Sequence, residues 1–471
     1  MIRFLLNDRS VDVARPAGEL LLDTLRGPLT MTGVKQGCRE GDCGACTILV
    51  GKLEGGELRY RAVPSCMMLL AQAQGSHIVT VEGINHASEL TPVQCAVAEE
   101  GGTQCGFCTP GVVLSLTSTL CAEPDATEPE LLESVGGNIC RCTGYMSFRR
   151  TARRLASAFE VRPKGSAERI QSLVQAKVLP PYFTGVAQRL EDLQEDLGPL
   201  QTDSEKADYG IAGGTDVLVQ RRTATEIAAP HFFQRPADMD PIALEGDWCR
   251  MDASTTFEEL KRSAIYRERD PKAVHHMELV ASQLIRERAT IAGNIANASP
   301  IADIVICLLA LGAELDLRGP SGSRSLALSD YYLDYKQTAL LEGESIVCVR
   351  LPLGRQLRNF EKVSRRERLD IATVNSAASF EIEEGCFRRV LISAGGVGPI
   401  PLLLKKAMAF LEGAQATPAK VGAALTIVEK EVTPISDVRG SADYKSLLLK
   451  QLVLAHFIEE LPDIGFEELA L

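Results

Sequence analysis

The sequence predicts a multidomain α+β protein in which a cysteine-rich N-terminal third precedes a longer, glycine-punctuated mixed region. Three observations carry this reading. At 471 residues the chain exceeds what one hydrophobic core organises and corresponds to roughly three or four domains. Of its 14 cysteines, ten precede residue 143. Short strand patterns, then helical patterns, then a strand-helix mixture follow one another in separate sections, with no internal repeat.

Residues 1–80 read as a small mixed domain. Strands pair around an Asn-Asp turn within residues 2–13, a helix lies near 19–25, and a cysteine-rich loop follows. The strands "CTILV" and "ELRYRAV" are then joined by a hairpin at Gly55-Gly56. Residues 81–158 read as helical, with "TPGVVLSLTSTL", "EPELLESV" and "SFRRTARRLASAF" separated by Gly, Pro and Cys. The arginines of the third helix fit a solvated face or a subunit contact better than a nucleic-acid surface. Residues 159–180 break the pattern and read as a linker. Residues 181–352 mix strands, helices and glycine turns, and residues 353–471 give strand, loop, strand, a further strand at "RRVLISAGGVG", and C-terminal helices.

Composition sets limits on function. The net charge of -12, with 62 acidic against 50 basic residues, excludes a broad nucleic-acid footprint. The first residues lack the apolar core and cleavage site of a secretory signal, so a cytoplasmic location is expected. The longest strongly apolar run, residues 304–311, falls well short of the roughly 20 residues of a membrane span and reads as a buried strand or helix. Without an export signal, so many cysteines point to metal ligation rather than to disulfides.

Cys38, Cys43 and Cys46 are spaced C-x4-C-x2-C, and Cys66 follows after a hairpin-sized interval, the plant-type spacing of a 2Fe-2S site. Gly37, Gly41 and Gly44 let such a loop bend tightly and bring backbone N–H groups to the sulfurs. A structural zinc favours paired C-x2-C ligands and suits this set less well. The second set, Cys105 and Cys108 in "QCGFCTPG" with Cys140 and Cys142 in "GNICRCTGY", places four thiols on two helix-flanking turns. By spacing alone, a second cluster and a four-cysteine zinc site both remain open for it. Cys95, Cys121, Cys249, Cys307, Cys348 and Cys386 read as buried small hydrophobes.

Taken in order, "GDCGAC", "QCGFCTPG" and "CRCTGY" resemble the iron-sulfur half of the molybdenum hydroxylases, the family of xanthine dehydrogenases and aldehyde oxidases. The resemblance covers essentially the whole chain. It implies four domains: a ferredoxin-like β-grasp domain at 1–80, an all-helical 2Fe-2S domain at 81–158, a two-subdomain α+β FAD-binding domain at 181–352 and a C-terminal α+β flavoprotein domain at 353–471. Both cysteine sets become 2Fe-2S ligands. "GIAGGTDVLVQ" and "TIAGNIANASPIADI" resemble the family's two FAD loops, glycine nests in which backbone N–H groups meet a diphosphate.

The resemblance thereby assigns FAD contacts to Ile211, Ala212, Gly213, Gly214, Thr215, Asp216, Val217, Thr290, Gly293, Asn294 and Asp303, the last toward a sugar hydroxyl. Ile346 is expected against the cofactor. Lys362 matches a lysine that approaches the isoalloxazine ring, where its charge would favour the anionic reduced flavin; the competing reading is a solvated surface lysine. Ala292 stands where the family usually has glycine. Without a Rossmann G-x-G-x-x-G fingerprint, NAD is expected to dock over the flavin. No segment resembles the molybdopterin-binding domains. The resemblance therefore implies the small subunit of a bacterial-type xanthine dehydrogenase, a heterodimer or dimer of heterodimers with a molybdopterin-binding large subunit, acting on hypoxanthine or xanthine with NAD+ as acceptor. Subunits of aldehyde or other N-heterocycle hydroxylases, and a free-standing iron-sulfur flavoprotein NADH reductase, are the alternatives.

Overall fold

The computed structural model describes residues 1–86, 89–159, 163, 165–197, 210–220, 231–233, 235 and 239–469. The chain divides into two compact units: Met1–Met239 with Ser282–Ala289, and Asp240–Ala281 with Thr290–Leu471.

The first unit opens with a five-stranded sheet built from β1 (Ile2–Leu6), β2 (Arg9–Val13), β3 (Thr47–Glu54), β4 (Glu57–Pro64) and β5 (His77–Val79). Its order is β2-β1-β5-β3-β4, with β1 and β5 parallel and the other pairs antiparallel. The expected strands and the helix (Leu21–Arg26) are all present. The strand that the sequence pattern missed, β5, is three residues long and fully buried, so it shows no alternation to read. The hairpin between β3 and β4 turns on Gly55 and Gly56, both at positive φ, as a tight two-residue turn requires.

Helices follow as expected. Thr109–Ala122 has Pro110 in its first turn and is buried on almost every side, which makes it the central rod of the helical part. Pro92–Glu99 and Glu128–Ser134 each begin with a reciprocal capping box, from Thr91 and Gln94 and from Thr127 and Glu130. Met146–Ala158 buries Phe148, Thr151, Ala152 and Leu155 along one stripe. Its arginines face outward, where Arg150 pairs with Glu100, Arg153 with Glu128 and Arg154 with Glu99, so the solvated-face reading holds. The expected linker differs: it contains a helix, Ser166–Gln175, that buries Ile170 and Leu173 in the core of the helical part. Gly, Pro and charged residues obscured nearly three turns of amphipathic pattern there. Residues 160–162 and 164 of that linker lie outside the described residues.

The second unit holds a five-stranded antiparallel sheet of Gly322–Ala327, Glu314–Gly319, Ser345–Pro352, Trp248–Asp252 and Ile242–Glu245, in that order. It also holds a four-stranded antiparallel sheet of Asn359–Val363, Val374–Glu383, Cys386–Gly395 and Leu402–Leu403. The helices Asp303–Ala310 and Ala442–Glu460 both pack on Val374–Glu383, whose first seven residues are all buried. Small Ala and Ser side chains in "VNSAASF" allow that covering, and the continuous burial replaces the alternation of a one-faced strand. The apolar run at 304–311 is thus a helix. Among the described residues, no helix is long and apolar enough to cross a membrane.

Candidate functional site

The first thiol set lies in the loop between Leu21–Arg26 and β3, with its fourth member on the 3-10 turn Ser65–Met67 that ends β4. The N–H groups of Cys38, Glu40 and Cys43 donate to sulfurs at 3.3 to 3.4 Å, from Cys38 to Cys43 Sγ and from Glu40 and Cys43 to Cys38 Sγ. Gly41 and Gly44 adopt positive φ, and a Cβ on Gly37 would lie 2.6 Å from Cys43 Sγ. A bidentate pair from Arg39 to Asp23, at 2.8 and 2.6 Å, ties the loop to the preceding helix. The four sulfurs are neighbours. Hydrogen bonds from Cys43 and Cys66 lower the pKa of the Cys38 thiol, and a hydrogen bond from Cys66 lowers that of Cys46 against its burial. Cys66, donating to Cys38 and Cys46, is correspondingly raised.

The second set pairs likewise. Cys108 immediately precedes the buried helix Thr109–Ala122, and Cys140 lies on the loop before Met146–Ala158. Burial, then the hydrogen bond to Cys140, pushes the Cys108 thiol up to about 12. The hydrogen bond between Cys142 and Cys105 raises Cys142. Cys140 N–H donates to the Tyr145 hydroxyl at 3.1 Å, and Cys140 Sγ lies 3.2 Å from Thr143 Oγ1. Cys108 and Cys140 are buried, whereas Cys105 and Cys142 are exposed. Phe107, Ile139, Tyr145 and Met146, sequence neighbours of these ligand positions, are exposed large apolar residues. Among the described residues, no group of three or more His, Cys, Asp or Glu side chains is gathered for a single metal ion. The thiols of the first set form one linked group, Cys43 to Cys38 to Cys66 to Cys46, and those of the second set form two pairs, Cys108 with Cys140 and Cys105 with Cys142. A two-iron cluster takes two thiolates at each iron, so four neighbouring thiols per site fit its donor set. Of the six cysteines outside these sets, Cys121, Cys249, Cys307 and Cys348 are buried as expected, while Cys95 and Cys386 are only half-buried.

The two thiol loops touch directly. Ile139 N–H donates to Cys43 O at 3.0 Å, so one hydrogen bond joins a residue of the first set to the residue preceding Cys140. Asn138 locks the junction: its Nδ2 donates to Gly44 O at 3.0 Å, and its Oδ1 accepts from Ser115 Oγ at 2.8 Å. The contact is too close for side chains, because a Cβ on Gly44 would strike Gly137 O and one on Gly111 would strike Gly44 O. The sequence alone offered no signal for Asn138.

Ile211, Ala212, Gly213, Gly214, Thr215, Asp216 and Val217 lie in the first unit, between the short strand Gly210–Ile211 and the turn Val217–Gln220. Gly214 has φ +84°, and a Cβ on Gly213 would strike Arg288 O. In the second unit, Thr290 caps the helix Ile291–Ala296 by accepting from Gly293 N–H at 3.2 Å. Asn294 Oδ1 is buried without a hydrogen-bond partner among the described residues. Ile346 is buried on the strand Ser345–Pro352, opposite Leu317.

Lys362 is not a surface lysine; its side chain is 2% exposed. Its ammonium donates to Asp303 Oδ2 and to Leu279 O, both at 2.7 Å, while Asn375 Nδ2 donates to Asp303 Oδ1 at 2.6 Å. Burial raises the Asp303 pKa, and the Lys362 charge opposes it. Both carboxylate oxygens are therefore engaged, which leaves only their remaining lone pairs for the expected sugar hydroxyl. When both groups are ionised the pair carries little net charge, which discounts the electrostatic effect expected of Lys362 alone.

Four domain families match the chain in order. They are the 2Fe-2S iron-sulfur cluster binding domain at residues 4–71, a [2Fe-2S] binding domain at 80–153, the FAD binding domain in molybdopterin dehydrogenase at 187–354, and the CO dehydrogenase flavoprotein C-terminal domain at 358–460. The xanthine dehydrogenase of Emericella nidulans is 28% identical over 98% of this chain and 38% of its own length. Aldehyde oxidase 4 of Cavia porcellus is 25% identical over 97% and 39%. The chain thus spans about two-fifths of these curated relatives. A carbon monoxide dehydrogenase chain from Hydrogenophaga pseudoflava, in a form which lacks the Mo-pyranopterin moiety of the molybdenum cofactor, superposes with a TM-score of 0.50 and 28% identity. That match covers 58% of this chain and 94% of the other. The chain therefore carries two iron-sulfur domains, each holding one four-thiol set, followed by a domain matching the FAD binding domain in molybdopterin dehydrogenase, which holds the glycine loops, and a domain matching the CO dehydrogenase flavoprotein C-terminal domain.

Proposed function

We propose that the chain is the electron-transfer subunit of a xanthine dehydrogenase-type enzyme, serving a separate molybdopterin subunit that oxidises hypoxanthine or xanthine, with NAD+ as final acceptor. When bound, 2Fe-2S clusters pass single electrons and FAD exchanges one or two, and this is the chemistry such a subunit supplies. Cys38, Cys43, Cys46 and Cys66 would hold one cluster, and Cys105, Cys108, Cys140 and Cys142 the other. The glycine loops at 211–217 and 290–294 would hold FAD.

The observation that carries the reading is the junction between the thiol sets, where a single backbone hydrogen bond, Ile139 N–H to Cys43 O, connects the two ligand loops. Two metal centres that merely stabilised separate domains would not need ligand loops packed glycine against glycine. The partner is supported by the exposed edge of the second set, where Cys105 and Cys142 stand beside exposed Phe107, Ile139, Tyr145 and Met146. Fusion of iron-sulfur and flavin domains in one chain is shared with the xanthine dehydrogenase and aldehyde oxidase relatives, each matched over nearly the whole of this chain, and weighs against the carbon monoxide dehydrogenase arrangement. The carbon monoxide dehydrogenase chain is matched along 94% of its length by only 58% of this one.

The test is the complex purified through this chain. It should contain a second polypeptide with molybdopterin and should reduce NAD+ with xanthine, followed as NADH absorbance. Turnover of aldehydes without xanthine would move the substrate to the aldehyde-type relatives. A partnerless chain with full NADH-dye reductase activity would remove the molybdenum partner altogether.

A further inference from the structure

The first glycine loop is held from behind by two side chains that no sequence motif marks. Gln72 lies six residues beyond Cys66, on the 3-10 turn Leu70–Ala73. Its Nε2 donates to Ala212 O at 3.1 Å, and its Oε1 accepts from Leu69 N–H at 3.0 Å and from an Arg288 Nη at 2.7 Å. The same Arg288 nitrogen donates to Gly213 O at 2.6 Å. The next carbonyl, Gly214 O, accepts from Leu218 N–H at 2.9 Å. Three successive carbonyls are therefore engaged. The N–H groups of Gly213, Gly214 and Thr215 donate to no acceptor among the described residues. In a trans peptide the C=O and N–H point in opposite directions, so pinning the Ala212 and Gly213 carbonyls turns the N–H groups of Gly213 and Gly214 away from Gln72 and Arg288. The result is a row of donors, without acceptors among the described residues, on the side of the loop away from Gln72 and Arg288, a backbone arrangement of the anion-binding kind.

The charge behind the loop has the matching sign. Arg288 has no carboxylate partner among the described residues, and its Nε is shut away from solvent without an acceptor. Burial lowers its pKa to about 10. Lys52, lowered to about 8 by burial and then by the Arg288 and Arg61 cations, shares the same positive field. An uncompensated buried guanidinium is costly unless an anion comes to it.

We propose that Gln72 and Arg288 are positioning residues for the diphosphate of the flavin dinucleotide. They pin the carbonyls of Ala212 and Gly213 so that the loop's amides are preset to receive it. The proposal rests on the reading that this chain binds FAD. It gives the ferredoxin-like domain a part in flavin binding, because the segment that supplies Cys66 also supplies Gln72.

The test is titration of the deflavinated complex with FAD and with riboflavin, which lacks the diphosphate, alongside iron content and cluster spectra. Arg288→Met should weaken FAD binding by about 10-fold or more, the scale of a lost charge-assisted hydrogen bond, while riboflavin affinity stays within about 2-fold and both clusters stay full. Gln72→Leu should act in the same direction more weakly, and Arg288→Lys should recover most of the loss. Equal weakening of FAD and riboflavin, unchanged FAD affinity, or cluster loss in both Arg288→Met and Gln72→Leu would overturn it. Failure of the unaltered protein to take up FAD would instead remove the flavin reading on which it stands.

Discussion

Replacing Lys362 with methionine keeps most of the side-chain volume and removes one charge from the buried trio Lys362, Asp303 and Asn375. Asp303 then retains only the Asn375 amide, 2.6 Å from Oδ1, in a site where burial already raises its pKa. Breaking a buried ion pair by removing one partner costs about 3–5 kcal/mol, against the roughly 0–1 kcal/mol of an exposed pair, because an uncompensated charge stays behind. The cost should depend on pH. Asp303 has a folded pKa raised above its unfolded value, so it favours the folded state fully below the unfolded pKa and loses that contribution as pH rises through the folded pKa. Without Lys362 the folded pKa rises further, and the penalty should grow with pH over a window extending upward from the ordinary Asp range. Native-state hydrogen exchange of the strand Val374–Glu383 and the helix Asp303–Ala310 reads this locally. Protection at neutral pH should fall by roughly two to four orders of magnitude and largely return in mild acid. The double substitution Lys362→Met with Asp303→Asn should recover most of the loss, since two neutral groups leave no buried charge. A single variant that loses less than 10-fold protection, or loses it equally at both pH values, would refute the buried-pair reasoning.

Cys43→Ser and Cys108→Ser should each halve the iron content and remove a different 2Fe-2S signal from the electron paramagnetic resonance spectrum of the reduced protein. Two intact signals in either variant would refute that ligand set. Glu133→Ala removes the carboxylate that pairs with Arg286, whose side chain is 1% exposed, and should cost the first unit about 3–5 kcal/mol in urea unfolding; a change below about 1 kcal/mol would refute the buried-pair reading. His77 is buried between the Tyr60 hydroxyl and Asn7 O, and burial lowers its pKa to about 3. Its contribution is therefore present above the unfolded value near 6.5 and lost as pH falls toward 3, so His77→Gln should flatten the acid limb of the stability curve. An unchanged acid limb would show that His77 does not set it.

Local chemistry was legible in the sequence wherever one short segment carries it. C-x4-C-x2-C, the two cysteine pairs and the Gly55-Gly56 turn act through bonds and angles within a few residues, and the structure brings each thiol set together as the spacing implied. Helices with caps and periodic apolar faces were equally readable, because capping and amphipathicity are properties of ten or fifteen consecutive residues. The short strand β5 and the helix hidden in the expected linker were not, since β5 is three buried residues without alternation and the helix follows a Pro-, Gly- and charge-containing stretch that obscures its start. What only the tertiary structure decided are the partnerships between distant segments. Asn138 reaches Gly44, Arg288 and Gln72 converge on one glycine loop, and Lys362 spends its charge on Asp303. Each is a matter of direction: a hydrogen bond requires two groups to meet within about 3 Å at the right angle, and one-dimensional spacing does not encode where a folded chain aims a side chain.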